Sequence, residues 1–91
     1  MPDQLRIENW ERVVTALRAF GASEVAVEGD EVRLVFGTAH LSVSRDGTFT
    51  AGMALHDIEG GAAETVVVDH EAGAVTLVGD SVEYTFRRPE R

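Results

Sequence analysis

The sequence predicts an α+β protein in which one N-terminal amphipathic helix packs on a curled antiparallel meander of about seven strands. Two observations lead to this fold class. Apolar residues recur every three to four positions over residues 7–20, whereas from Ser23 onward they alternate with polar residues. A period of about 3.6 residues is typical of a helix, and a period of about two is typical of a strand. Short glycine-containing segments separate the alternating stretches, and such tight turns join antiparallel neighbours.

The predicted helix covers about residues 7–20. Its apolar residues share one face, and a helix this short depends on burying that face. Gly21 follows and can take the left-handed conformation that ends a helix. The start is less defined, because Asp3 and Asn9 are both acceptable N-cap residues. The apolar face consists of Ile7, Trp10, Val13, Val14, Leu17 and Phe20.

Tight turns divide the predicted meander into strands over about residues 24–86. One longer loop, residues 57–63, separates four strands from three. Residues 87–91 are expected to form a polar tail that frays. Residues 25–36 and 75–86 share Val, Gly, Asp, Val and Phe at the same offsets, which fits two ordinary hairpins or a duplicated unit. The turns are predicted at Gly29-Asp30, Gly37-Thr38, Asp46-Gly47, Glu71-Ala72-Gly73 and Gly79-Asp80.

Composition excludes several classes of function. The chain, residues 1–91, has the length of a single domain and contains no cysteine, so a disulfide, a thiol nucleophile and a thiolate metal site are excluded. No apolar stretch approaches the roughly 18 residues of a membrane span. The N-terminus lacks the features of a signal peptide. We therefore expect a cytoplasmic protein without a membrane partner.

The chain is strongly acidic. The chain has sixteen Asp and Glu residues and eight basic residues, all of them arginine, and its net charge is −8. A charge of this size repels nucleic acid, so no nucleic-acid partner is expected. The phosphate-binding consensus GxxxxGK[ST] cannot occur without lysine, and no GxGxxG opens the helix. No cofactor is therefore expected.

An acidic, lysine-free composition rich in Ala, Val and Gly resembles that of small haloarchaeal proteins. Haloarchaea keep molar salt inside the cell, where acidic surfaces stay hydrated. The resemblance covers the whole chain and implies a habitat rather than an activity. A high-GC actinobacterial source would look partly similar.

The side of the meander that faces away from the helix is predicted to be almost uncharged, with only Arg33 and Glu83 as charged residues. Such a face is expected to be covered, either because the sheet curls into a barrel or sandwich or because a second copy packs on it. Ordinary exposed strand residues are the alternative, and we favour a homodimer. The uncharged residues are Ala26, Val35, Ser42, Thr50, Gly52, Ala54, Val67, Thr76, Val78 and Thr85. The predicted interface consists of Val35, Thr50, Gly52, Ala54, Val67, Thr76 and Val78.

No catalytic residue is identifiable in the sequence. The serines lack a nucleophile-elbow context, and no HExxH spacing is present. Weak candidates for a metal site are His56 with Asp57 and Asp69 with His70, which flank the predicted loop in mirrored order. Imidazole and carboxylate groups are common metal ligands, and strand ends that meet across the loop would bring the two pairs together. Histidines at strand ends are otherwise usually exposed to solvent.

Two functions remain open. The first is a small non-enzymatic protein-interaction module that acts as a homodimer in a high-salt cytoplasm. The second is a small-molecule-binding or enzymatic domain with a pocket between the helix and the curled sheet. A charge placed at Thr50 or Ala54 would split the homodimer, whereas a retained ligand would favour the pocket. The pocket would be lined by Phe36, Phe49, Met53, His56 and Tyr84.

Overall fold

The computed structural model describes residues 3–53, 56–60 and 62–88, with the backbone alone at residues 53 and 56–58. Within these ranges the chain forms one helix and nine strands. In chain order they are β1 (Asp3–Arg6), α1 (Trp10–Arg18), β2 (Glu24–Glu28), β3 (Glu31–Phe36), β4 (Ala39–Ser44), β5 (Phe49–Met53), β6 (His56–Gly60), β7 (Ala63–Asp69), β8 (Ala74–Gly79) and β9 (Glu83–Arg87).

The strands form two antiparallel sheets rather than one. The four-stranded sheet has the order β1-β7-β8-β9, and the five-stranded sheet has the order β2-β3-β4-β5-β6. The α+β class, with one helix packed against antiparallel strands, is therefore confirmed. The single curled meander of about seven strands is wrong, because the chain contains two further strands and leaves one sheet for the other between β6 and β7.

The two further strands, β1 and β6, are edge strands with few apolar residues. In β1 the apolar residue is Leu5, and its backbone pairs with Val66 of β7. β6 falls largely within residues 57–63. The sequence predicts a loop there because the acidic residues and the glycine of this segment give no alternating pattern. It pairs with β5, where Gly60 leaves space for the ring of Phe49. Edge strands commonly carry charged residues, so hydrophobic alternation does not reveal them.

The helix is shorter than the predicted residues 7–20 and extends over Trp10–Arg18. Ile7 still belongs to the extended segment, because its N–H donates to the carbonyl of Glu64 at 2.8 Å and continues the pairing of β1 with β7. Of the two N-cap candidates the structure uses Asn9, without a hydrogen bond from its side chain. The position of the helix is therefore set by the strand that precedes it.

The two sheets and the helix enclose one hydrophobic core. α1 lies against β1 and β7 of one sheet and against β3 of the other, so it closes one side between the sheets. The ring centroids of Phe36 and Phe86 are 5.4 Å apart, and those of Phe49 and Tyr84 are 5.9 Å apart, so aromatic contacts join the sheets. Phe20 brings the end of the helix segment into the core, 5.8 Å from Phe36. Other fully buried residues are Val13, Leu17, Val32, Leu34, Leu41, Val43, Val66, Val68, Val75 and Leu77.

The five predicted turns all connect antiparallel neighbours. The turn at Asp46 has both a local and a distant requirement for its sequence. Gly47 has φ +94°, and a Cβ there would lie 2.5 Å from the carbonyl oxygen of Ala63, so glycine is required. Asp46 Oδ1 accepts the N–H of Thr48 at 2.9 Å, and this bond lowers the pKa of the Asp46 carboxyl. Gly21, with φ +99°, follows the helix as predicted.

The segment predicted as a polar tail, residues 87–91, begins inside the fold. Arg87 is the last residue of β9, and the N–H of Arg88 donates to the carbonyl of Gly73 at 2.6 Å. The guanidinium of Arg88 donates to the carbonyl of Phe20 and lies over the Phe20 ring, 5.1 Å from its centroid. A cation also suits the C-terminal end of a helix. Arg88 therefore ties the last strand to the end of the helix segment.

Replacement of Arg88 by alanine is expected to lower the free energy of unfolding by about 1–3 kcal/mol, because the Phe20 carbonyl loses its charged donor and the ring loses its cation. Arg87→Ala is the matched control. Arg87 is exposed, and its loss should change the stability by less than about 0.5 kcal/mol. Chemical denaturation followed by Trp10 fluorescence measures both variants, and superimposable unfolding curves would contradict the role assigned to Arg88.

Acidic residues concentrate on the β2–β3 hairpin. Glu28 and Glu31 are direct cross-strand partners, and both are exposed. At the turn between them, Asp30 Oδ1 lies 3.7 Å from Arg45 Nη1. Like charges directly opposite each other destabilise a strand pair, and salt screens the repulsion.

The melting temperature is expected to rise as KCl increases from about 0.1 M to above about 1 M, because salt screens repulsion within a chain of net charge −8. Glu28→Gln removes one member of the repelling pair, so it should raise the melting temperature at low salt and lose that advantage at high salt. Glu59→Gln changes the charge equally, but Glu59 pairs with uncharged Thr50 and should gain less. A melting temperature that stays flat or falls with KCl would contradict this expectation.

Candidate functional site

The residues predicted to form one uncharged interface are divided between the two sheets. Because the sheets share the core between them, their outer faces point away from each other. A single second copy packed on one face therefore leaves the other face uncovered. Alternation along a strand separates its two faces but does not show which sheet the strand joins. The prediction from the sequence therefore assigned residues of two separate surfaces to one interface. The five-stranded sheet carries Val35, Thr50 and Gly52, the four-stranded sheet carries Val67, Thr76 and Val78, and Ala54 lies outside the described residues.

The outer face of the five-stranded sheet is charged, in contrast to the prediction. Glu28 and Glu31, on either side of the predicted Gly29-Asp30 turn, and Glu59, in the predicted loop, belong to strands and lie on this face. Ser42 at its centre is 3% exposed, and its hydroxyl has no partner among the described residues. The three glutamates are exposed, so the face is suited to hydration around this buried centre. Its central cross-strand row consists of Ala26, Arg33, Ser42, Thr50 and Glu59.

The outer face of the four-stranded sheet is uncharged at its centre, whereas Asp69 and Arg87 lie on the same face in the row of Ala74. Its centre consists of Thr65 and Val67 on β7 and of Thr76 and Val78 on β8, and we name these four residues the Thr/Val face. Thr65 pairs with Val78, and Val67 pairs with Thr76. All four are partly exposed. The hydroxyls of Thr76 and Thr85 lie 3.0 Å apart and satisfy each other within the chain.

Charged residues border the Thr/Val face on both edge strands. Arg6 of β1 and Glu83 of β9 lie at opposite ends of the cross-strand row that contains Thr65 and Val78. Both residues are exposed. Arg6 Nε donates to Glu8 Oε1 at 2.6 Å, and this hydrogen bond raises the pKa of Arg6. An uncharged centre with a charged border is the usual anatomy of a protein interface.

The two histidine–aspartate pairs proposed as metal ligands lie on strands of different sheets. His56 and Asp57 belong to β6, which pairs with β5, and their side chains lie outside the described residues. Asp69 ends β7, which pairs with β1 and β8, and His70 follows it. No strand pairing therefore brings the two pairs together, and the metal site stays a prediction.

The second pair makes its own local contacts. Asp69 Oδ1 accepts the N–H of Ala72 at 3.0 Å, which stabilises the β7–β8 turn. His70 Nε2 lies 3.9 Å from Asp3 Oδ2, and its ring lies 6.1 Å from that of Phe20. Among the side chains that the structure describes, which exclude those of His56 and Asp57, no three of His, Asp or Glu form a group that could hold a metal ion.

An open groove of about 540 Å³ lies between α1 and β1. Leu5 and Ala16 supply apolar surface, Arg12 supplies a positive charge, and Asp3 and Glu11 supply negative charges. The groove differs from the pocket predicted between helix and sheet, because Phe36 and Phe49 are 8% and 1% exposed and fill the core. Met53 and His56, also expected in that pocket, lie outside the described side chains.

No helix in the described part of the chain is long and apolar enough to cross a membrane. Comparison of the chain with protein-family models, with curated proteins and with solved structures gave no match. The proposed function therefore rests on the surfaces of the chain.

Proposed function

We propose that the protein is a small non-enzymatic interaction module that works as a homodimer in a high-salt cytoplasm, with the Thr/Val face as the contact between copies. The observation that carries the proposal is the uncharged centre of this face in a chain of net charge −8. Charged residues are depleted at the centre of interfaces because burying them there is costly. A second copy that excludes water from the face accounts for their absence.

The size of the face fits a weak dimer. The outer face of the whole four-stranded sheet, with strands about 4.8 Å apart and about five residues long, spans about 19 by 17 Å. Two such faces cover about 650 Å² in total, which is below the size of a standard specific interface and fits a weak contact. We therefore expect association in the micromolar range.

Salt links the acidic composition to the dimer. Two copies that each carry −8 repel one another in dilute buffer. At about 1 M salt the screening length falls to about 3 Å, so the repulsion no longer opposes contact between uncharged faces. High salt should therefore favour the dimer.

A charge at the centre of the Thr/Val face is expected to split the dimer. Thr76→Glu places a carboxylate where the copies meet, and Thr50→Glu places the same group on the outer face of the five-stranded sheet. Thr76→Glu should be monomeric, whereas Thr50→Glu should keep the mass of two chains. Native mass spectrometry in concentrated ammonium acetate, supported by sedimentation in KCl, measures both.

Three outcomes of this comparison would count against the proposal. They are a wild-type protein that is monomeric throughout the micromolar to millimolar range, a Thr76→Glu variant that remains dimeric, and a Thr50→Glu variant that dissociates instead. Circular dichroism of each variant separates loss of association from loss of folding.

The groove between α1 and β1 favours a second candidate, a small-molecule-binding domain. Its volume of about 540 Å³ falls within the range of ligand sites. Its apolar side chains, with Asp3 and Glu11 as well as Arg12 beside them, would suit an amphipathic zwitterion. A native mass that exceeds whole chains by a constant amount, and loses that excess in Ala16→Trp, would favour this candidate.

A further inference from the structure

We propose that the two copies meet about a twofold axis that lies between the two contacting faces. The axis runs parallel to the strands and is centred over the gap between β7 and β8, so that Arg6 of each copy lies over Glu83 of the partner subunit. This inference rests on the proposed homodimer and specifies its geometry. It follows from the strand order and from the positions of the two charges.

The strand order makes the face complementary to itself. A twofold axis along the strands, through the middle of the order β1-β7-β8-β9, places β1 over β9 of the partner and β7 over β8. A rotation about this axis leaves the position of each cross-strand row along the strand direction unchanged. The row from Arg6 through Thr65 and Val78 to Glu83 therefore lies over its own reverse.

The centre of the interface becomes a mixed valine–threonine layer. Val78 lies over Thr65 of the partner subunit, and Val67 lies over Thr76 of the partner subunit. Each partly exposed valine thus meets a side chain that carries a methyl group. The Thr76 hydroxyl already bonds to Thr85 in its own chain, so burial does not leave it without a partner.

The opposite charges at the ends of the row select this axis. An axis in the plane of the face but perpendicular to the strands would place β1 over β1 of the partner, and Arg6 would not meet Glu83. Edge-to-edge pairing of β2 about Ala26 would place Glu24 opposite Glu28 of the partner subunit. Like charges in direct cross-strand pairs are unfavourable, so the free edge of β2 does not offer a comparable contact.

Arg6 is available for this contact. Its pair with Glu8 is at the surface, where 66% of the Arg6 side chain and 68% of the Glu8 side chain are exposed. A guanidinium has about five N–H donors, so it can hold the carboxylate of its own chain and that of the partner. Packed sheets lie about 10 Å apart, which an arginine and a glutamate span together.

Charge exchange tests the axis. Arg6→Glu alone places two glutamates over each other at both ends of the interface, and Glu83→Arg alone places two arginines there. Each should weaken dimerisation about tenfold or more at the lowest KCl concentration at which the wild type associates. The double variant, with both charges exchanged, should return to near wild-type affinity.

An equimolar mixture of the two single variants is the sharper measurement. Only in the heterodimer does each glutamate of one copy lie over an arginine of the other copy, so native mass spectrometry should find mainly the mixed species. Arg12→Glu changes the net charge by the same amount as Arg6→Glu but lies on the helix, and it should leave the affinity near that of the wild type. Circular dichroism confirms that every variant is folded.

The outcomes distinguish the axis from the face. A monomeric wild type overturns both this inference and the proposed function. If Thr76→Glu splits the wild-type dimer, but neither the double variant nor the mixture shows the expected recovery of affinity, the axis is wrong and the face stays in place. Recovery in both the double variant and the mixture supports the axis.

Discussion

The pairing of β1 with β7 is the constraint on which the rest of the structure depends. It joins the start of the chain to its second half, with Asp3 opposite Val68 and Arg6 opposite Thr65. Because α1 follows β1 closely, the pairing also holds the start of the helix against the four-stranded sheet. The same strand widens that sheet and supplies Arg6 as a border of the Thr/Val face. One backbone ladder thus fixes the helix, completes the sheet and defines the candidate surface.

Local features of the fold were predictable from the sequence, and features that depend on distant pairing were not. The helix and the five tight turns are local, because their periodicity and glycine positions act within a few residues. β1 and β6 have no such pattern, since an edge strand can be polar on both faces.

The segments 25–36 and 75–86 also show that local sequence does not determine how strands pair. Val27 pairs with Val32, but Leu77, its counterpart, pairs with Tyr84, so similar letters give different registers.

The candidate surface was predictable in part for a related reason. Alternation identified Val67, Thr76 and Val78 as outward-facing and uncharged, and they lie together on the Thr/Val face. It also included Val35 and Thr50, because it could not detect that the chain changes sheets between β6 and β7. The sequence already placed Glu83 on the outward face, but the border at Arg6 required the structure, since Arg6 belongs to a strand that the sequence does not reveal. Periodicity therefore gives the chemistry of a face but not its extent.

The distribution of charge between the two outer faces is what makes a contact between acidic copies feasible. The five-stranded sheet exposes Glu24, Glu28, Glu31 and Glu59, so it stays hydrated and disfavours contact with a second copy. Added salt screens repulsion everywhere on the surface, but it cannot turn a carboxylate-lined face into an apolar one. The proposed contact between copies therefore falls on the Thr/Val face, where little desolvation of charge would be required. On this argument the acidic residues do more than keep the chain soluble, because their placement determines which face remains open to a partner.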